Sequence, residues 1–311
     1  MIDHAIVIPP ASQGLILALE GRTPASQKFF NALRPLIIEL ASAARAKAGE
    51  RRWRNFSTDP SSMTNILFDF TITQLLLVGV LFIWTGFVRS GLGFGGAALG
   101  LPLMLFLYDQ PLFWLPVIGT HLLFFSALTL RTGIHDVDWP CLRHATLFVI
   151  PTTLIGVFGL ITLPTEWLLI FIYSISLAYG LMWLLNLSIN SKKSWSDVLL
   201  LALGGYVAGT SLTGGPLMVA VTMKNVATNQ LRNTLYVLWF TIVTIKMSTF
   251  VILGVELHLL TALALLPIAA IGHVIGLKFH DAILKNDQWF KQVIGGMLVI
   301  ISGLGLMNIL A

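Results

Sequence analysis

The chain has 311 residues, 56% of them hydrophobic and only 11% charged, whereas a soluble domain carries about 25% charged residues, so a soluble domain is excluded. The lone Cys141 excludes an internal disulfide and a cysteine metal cluster. The net charge of +5 comes without any basic stripe interleaved with aromatics, so no nucleic-acid partner is expected.

Residues 1–62 differ in character from the rest of the chain. They hold eight of the 19 Lys and Arg, with five acids. Phe29, Phe30, Leu33, Leu36, Ile37 and Leu40 recur at helical spacing, which predicts one amphipathic helix over about 26–48. The apolar stretch from Ala5 to Ile8 is too short for a secretory signal. Two readings stand side by side: a polar, basic extension that is cytoplasmic or partly disordered, or a stretch ahead of a natural start at Met63.

From Met63 onward the apolar runs are long enough for membrane helices, which need about 20 residues each. They lie near 66–89, 93–108, 112–131, 144–163, 165–186, 197–223, 230–254, 258–279 and 289–310. The short second run reads as a broken continuation of the first. The fold class is therefore all-α, a polytopic bundle of about eight segments.

The runs repeat. Pro102-Leu103-Met104 and Pro216-Leu217-Met218 both follow glycine-rich stretches, 114 residues apart, and Thr120 and Thr234 follow at the same offset. Pro151 with Gly156 matches Pro267 with Gly272 at 116. This predicts two tandem membrane repeats, 63–190 and 191–311, each with a Gly-rich broken helix, as in many transporters. If the first broken segment crosses once, Arg131, Arg143, Lys192 and Lys193 share a side with the basic N-terminus. Lys224, Arg232, Lys278, Lys285 and Lys291 then fall on the other, against the positive-inside tendency. A segment at 197–223 that dips in and returns removes the conflict and inverts the second repeat.

The breaks are Gly91-Leu92-Gly93-Phe94-Gly95-Gly96 and Gly204 through Pro216. The first fits G-x-G-x-x-G, but a dinucleotide site needs a strand and a βαβ unit around it, so no nucleotide cofactor is expected. Close packing explains Gly272 and Gly276, a small-xxx-small pair. Glycine and proline as dense as in the two breaks instead predict unwound backbone, which survives at membrane depth only inside protein or beside a wet cavity. Its free N–H groups form an anion seat with the adjoining half-helix. Gly93, Gly95 and Gly96 in the first break are thus candidates for substrate binding, as are Gly214 and Gly215 in the second. Thr210, Ser211 and Thr213 add hydroxyls, unless these merely bond local backbone.

Intramembrane charge is costly and marks function. Lys246 lies well inside its segment, Arg89 abuts the first break, and His121 and His273 sit within apolar runs. Asp69, Asp109, Glu166, Asp197 and Glu256 all fall at segment ends. A cationic interior suits an anion. Lys246 has no acid in its own segment and is expected to pair with the substrate. Arg131 takes the equivalent place in the first repeat, at an offset of 115. Snorkelling is the alternative for Arg89 and Arg131, and helix packing for the histidines.

These features together resemble the sulfite exporter TauE/SafE family over about residues 70–310. The resemblance rests on two Gly-rich, Pro-terminated loops, each followed by a Thr-bearing segment (Thr120, Thr234), and on Asn229-Gln230-Leu231-Arg232-Asn233-Thr234, which is similar to the family's Arg-x-Thr signal. It implies a secondary transporter of sulfur oxyanions or organosulfonates, with Arg232 and Thr234 among the binding residues. The expected setting is a bacterial cytoplasmic (inner) membrane, with lipid and a small sulfur anion as partners and room for a homo-oligomer. No Walker lysine motif is present, so a proton or ion gradient is implied, with His121 or His273 as relay. An intramembrane enzyme is the rival, but no His-Glu-x-x-His helix, Gly-x-Ser-x-Gly elbow or paired carboxylates within a span appear. A scaffold subunit is the third option. No catalytic residue, cofactor or metal is expected.

Overall fold

The computed structural model describes residues 70–310 except 93–95, 188, 190–192 and 286. The extension at 1–62 lies outside the described residues. Among those described there are ten α-helices, one short 3-10 turn and no strand. In chain order they are α1 (Ile72–Leu92), α2 (Gly96–Leu107), α3 (Pro111–Gly133), α4 (Trp139–Thr162), α5 (Thr165–Leu184), α6 (Ser194–Ser211), α7 (Gly215–Asn225), α8 (Thr228–Ile252), α9 (Leu259–Lys285) and α10 (Asp287–Leu310). Seven of them, α1, α3, α4, α5, α8, α9 and α10, are long and apolar enough to cross a bilayer.

Local chemistry sets the boundaries. Pro111 opens α3 after extended Gln110, where its missing N–H costs nothing and its fixed φ favours the helix. Asp138 caps α4 by accepting a hydrogen bond from Cys141 N at 2.9 Å. Leu212 adopts a left-handed conformation (φ 58°) and ends α6.

Both broken segments are hairpins. α7 returns along α6: Gly204 faces Leu217 and Met218, and Lys224 near the end of α7 pairs with Asp197 in the first turn of α6 at 3.0 Å. The dip-and-return expected of 197–223 matches this geometry. The single crossing expected of the first segment does not. Gly96 and Gly100 of α2 face Arg89 and Thr85 of α1 in reverse order, and Phe70 before α1 meets Tyr108 after α2 with ring centroids 6.0 Å apart. α1 and α2 therefore begin and end on the same side.

Each hairpin is enclosed by helices far off in sequence. α1 packs on α9 and α6 on α4, while α5 packs on α10 and α3 on α8. The α1–α9 contact is backbone against backbone. A Cβ at Gly272 would lie 1.9 Å from Ile83 O, at Gly86 2.3 Å from Ala269 O, and at Gly276 2.4 Å from Phe87 O. Across α4–α6, a Cβ at Gly156 would lie 2.2 Å from Tyr206 O and one at Gly209 2.2 Å from Thr153 O. Gly205 and Gly209 thus serve close packing within a continuous part of α6.

The contacts also set a register. Gly276 meets Phe87, Ser90 and Gly91, while Gly156 meets Tyr206, Gly209 and Thr210, each 119 residues on from its counterpart. α2 and α7 likewise start 119 apart, at Gly96 and Gly215. This spacing is five residues longer than the 114 between Pro102 and Pro216. The prolines are not equivalent: Pro216 sits in the first turn of α7 and Pro102 in the interior of α2. Arg131 and Lys246, matched in the sequence at an offset of 115, sit in unlike surroundings. Arg131 is exposed at the end of α3 and Lys246 is fully buried.

We expect Gly272→Ala to destabilise the protein by about 1–3 kcal/mol, the usual range for overpacking. Gly79→Ala, where no atom lies within 4 Å of the added methyl, should instead be neutral or stabilising by up to about 1 kcal/mol. Thermal unfolding of the two variants in detergent measures the contrast, and equal midpoints would refute the packing argument.

Candidate anion site

Arg89, one turn from the end of α1, is the centre of the site. It is 5% exposed, so it does not snorkel. Its guanidinium lies over the Phe125 ring of α3, Cζ 4.2 Å from the centroid. Nε and Nη2 are buried and have no hydrogen-bond partner among the described residues. These two nitrogens share one edge of the guanidinium plane, so the free donors form a fork. A fork of that kind matches two oxygens of an oxyanion.

No described carboxylate pairs with this cation. A cation–π contact contributes about 0.5–2 kcal/mol, whereas desolvating an ion costs several kcal/mol. The ring leaves most of that cost unmet. An anion on the fork would offset it.

A cavity of about 10 Å³, room for one water, opens beside the guanidinium. It is lined by Phe82, Thr85 and Arg89 of α1, Gly96 and Ala97 of α2, and Ile118, His121 and Leu122 of α3. The His121 ring meets the Phe82 ring edge-on at 5.0 Å, and its Nε2 donates to Ala262 O at 2.7 Å. His273 packs against Phe125, centroids 4.7 Å apart, and its Nδ1 is hydrogen-bonded to Ser90 Oγ. Tyr236 of α8 lies within electrostatic reach of Arg89, and its buried hydroxyl has no hydrogen-bond partner among the described residues.

The second break is arranged differently. Lys246 Nζ donates to Gly209 O at 2.6 Å and Thr210 O at 3.2 Å. Both carbonyls belong to the last turn of α6, the negative end of its dipole. Lys246 thus has fixed partners that a search for acids in the sequence passes over. Gly91 O, at the matching place in the first hairpin, receives His280 Nδ1 at 2.6 Å. Thr210 donates to Tyr206 O at 2.9 Å and Ser211 to Val207 O at 3.0 Å. The Ser211 and Thr213 hydroxyls lie 2.6 Å apart. Gly214 and Gly215 are buried at the turn into α7, where a Cβ on Gly214 would lie 1.9 Å from Gly204 O.

A family model described as sulfite exporter TauE/SafE matches residues 76–305. The chain belongs to the sulfite exporter TauE/SafE family. No curated protein and no solved structure matches it. Membership and the seven apolar helices make it a multi-pass membrane transporter of a family that exports a sulfur anion.

Within this TauE/SafE chain the expected site residues divide. Arg89, Gly96 and His121 come together on the cavity. Thr210, Ser211, Thr213, Gly214, Gly215 and Lys246 gather at the second break and do not line it. Gly93 and Gly95 lie outside the described residues. Thr120 bonds Pro116 O of its own helix. Thr234 accepts from Asp138 N and donates to Gln230 O, both at 2.9 Å, and so ties the α3–α4 turn to α8. Arg232, half-buried, is in the same first part of α8, about 20 Å along the axis from Lys246. Phe125, Ser90 and Tyr236 were not singled out from sequence, where a phenylalanine or tyrosine in an apolar span looks like any core residue.

Lys246→Met removes the donor for two buried carbonyls. We expect a loss of about 1–3 kcal/mol, read as a lower unfolding midpoint in detergent. An unchanged midpoint would mean that the lysine does not hold the α6 terminus.

Proposed function

We propose that the chain is a secondary transporter of a small sulfur oxyanion or organosulfonate, such as sulfite, thiosulfate or a sulfonate. It works by alternating access across a bacterial cytoplasmic membrane, and a proton or ion gradient drives it. Arg89 seats the anion, and Lys246 holds the second hairpin in shape rather than binding substrate. The observation that carries the reading is a buried guanidinium whose side-on edge has no partner among the described residues. Family membership supports the sulfur anion.

The cavity of about 10 Å³ is smaller than such an anion, so its admission requires the α2 side of the first hairpin to part from α3. We further propose that the two five-helix units, α1–α5 and α6–α10, descend from one ancestor and are inverted in the membrane. Two returning hairpins and three crossings per unit support this. That count gathers Arg131, Arg143, Lys193, Lys224, Arg232, Lys278 and Lys291 at one face. The turns at the other face carry Asp109 and Glu256 and, among the described residues, no Lys or Arg. The basic face is cytoplasmic by the positive-inside tendency.

Two experiments test these statements. In proteoliposomes, counterflow of labelled thiosulfate or sulfite should fall at least tenfold in Arg89→Met. Arg89→Lys should keep only a minor part, because an ammonium lacks the planar fork. Full counterflow in Arg89→Met at equal reconstitution rejects the seat. For topology, in a Cys141→Ser background, Asp109→Cys and Glu256→Cys should react with an impermeant thiol reagent from outside the cell. His135→Cys should react only after the membrane is opened. The same sidedness for all three would reject the inverted arrangement.

A further inference from the structure

His121 is the second ionisable side chain on the Arg89 cavity, and the structure fixes its tautomer. A carbonyl only accepts, so the 2.7 Å contact with Ala262 O places a proton on Nε2. The neutral ring therefore keeps a lone pair on Nδ1. His273 differs: its Nδ1 is already engaged with Ser90 Oγ, and its ring does not line the cavity.

Among the described residues, few ionisable groups lie near the cavity. Arg89 of α1 lines it with His121, His273 of α9 packs on the Phe125 ring that also meets Arg89, Tyr236 of α8 is within electrostatic reach of Arg89, and α2 has no ionisable residue. Lys246 of α8 is turned to the α6 carbonyls, and the tyrosines of α5, Tyr173 and Tyr179, are uncharged phenols. Among the described residues, Arg89 thus supplies the charge that lines the cavity, one plus. A monoanion on the fork brings the enclosure to neutrality. A dianion leaves an excess negative charge in a medium of low polarity, which favours protonation of the nearest base.

We propose that dianions of the thiosulfate type bind together with one proton, taken from solvent by Nδ1 of His121, whereas monoanionic sulfonates bind without one. The inference rests on the Arg89 site proposed above. It makes the charge of the cargo set the proton count of the transport cycle. His121 is then a positioning and charge-balancing residue, since the guanidinium fork makes the contact with the anion.

Isothermal titration calorimetry of the full chain in detergent, in buffers of differing ionisation enthalpy near neutral pH, counts protons taken up per anion bound. We expect about one for thiosulfate and none for methanesulfonate. Thiosulfate binding without uptake, or equal uptake with both anions, overturns the proposal. Absence of binding by either anion overturns the Arg89 site itself. His121→Gln keeps an N–H for Ala262 O and cannot titrate, so thiosulfate uptake of protons should fall to zero, while His273→Gln should retain it. The reverse pattern in the two variants overturns the assignment to His121.

Discussion

A bilayer offers no water to a backbone amide, so a helix that stops inside it must be enclosed by protein. Both hairpins of this molecule are enclosed by other helices in that way. Two helices, α1 and α6, stop at Leu92 and Ser211, and each chain then turns back on itself as α2 or α7. The freed carbonyls receive donors from elsewhere, Gly91 O from His280 and those of Gly209 and Thr210 from Lys246. Enclosure also needs close approach, and glycines on α9 and α4 bring those backbones against α1 and α6 without intervening side chains.

The two hairpins dispose of their buried cations in opposite ways. Lys246 is matched by carbonyl oxygens at a helix terminus, where the aligned peptide dipoles present about half a negative charge. Arg89 has an aromatic face and an edge with no partner among the described residues. The first has its donors met by carbonyls, and the second leaves two donors without a partner among the described residues. Equal burial therefore goes with unlike partners.

The membrane body was legible because apolar runs of about 20 residues have few alternatives. Family membership was legible too, from loop patterns rather than from any one residue. The spacing of the two hairpins was not, because Pro102 and Pro216 sit at different places in their helices. Arg89 and His121, which line one cavity, stand out in the sequence as ionisable residues in apolar runs. Phe125 carries no such mark, and its place under the guanidinium depends on how α1 meets α3. The partners of Lys246 were hidden because every residue has a carbonyl, and only the fold decides which carbonyls face a cation. Thr234 lies in the most family-like motif, yet its hydroxyl secures the turn at Asp138.

The exchange of partners between halves bears on how the chain is made. α1 finds its glycine-lined cover only in α9, so α2 through α8 must all leave the ribosome before the first hairpin is enclosed. At about 5–20 residues per second that interval is on the order of 10–30 s. During it a segment with a mid-chain arginine and a broken backbone waits in or beside the insertion machinery without its final neighbours. The second hairpin has no such delay, because α4 precedes α6. Biogenesis is thus asymmetric in a body whose contacts are nearly symmetric, and the first hairpin is the segment most exposed to misinsertion.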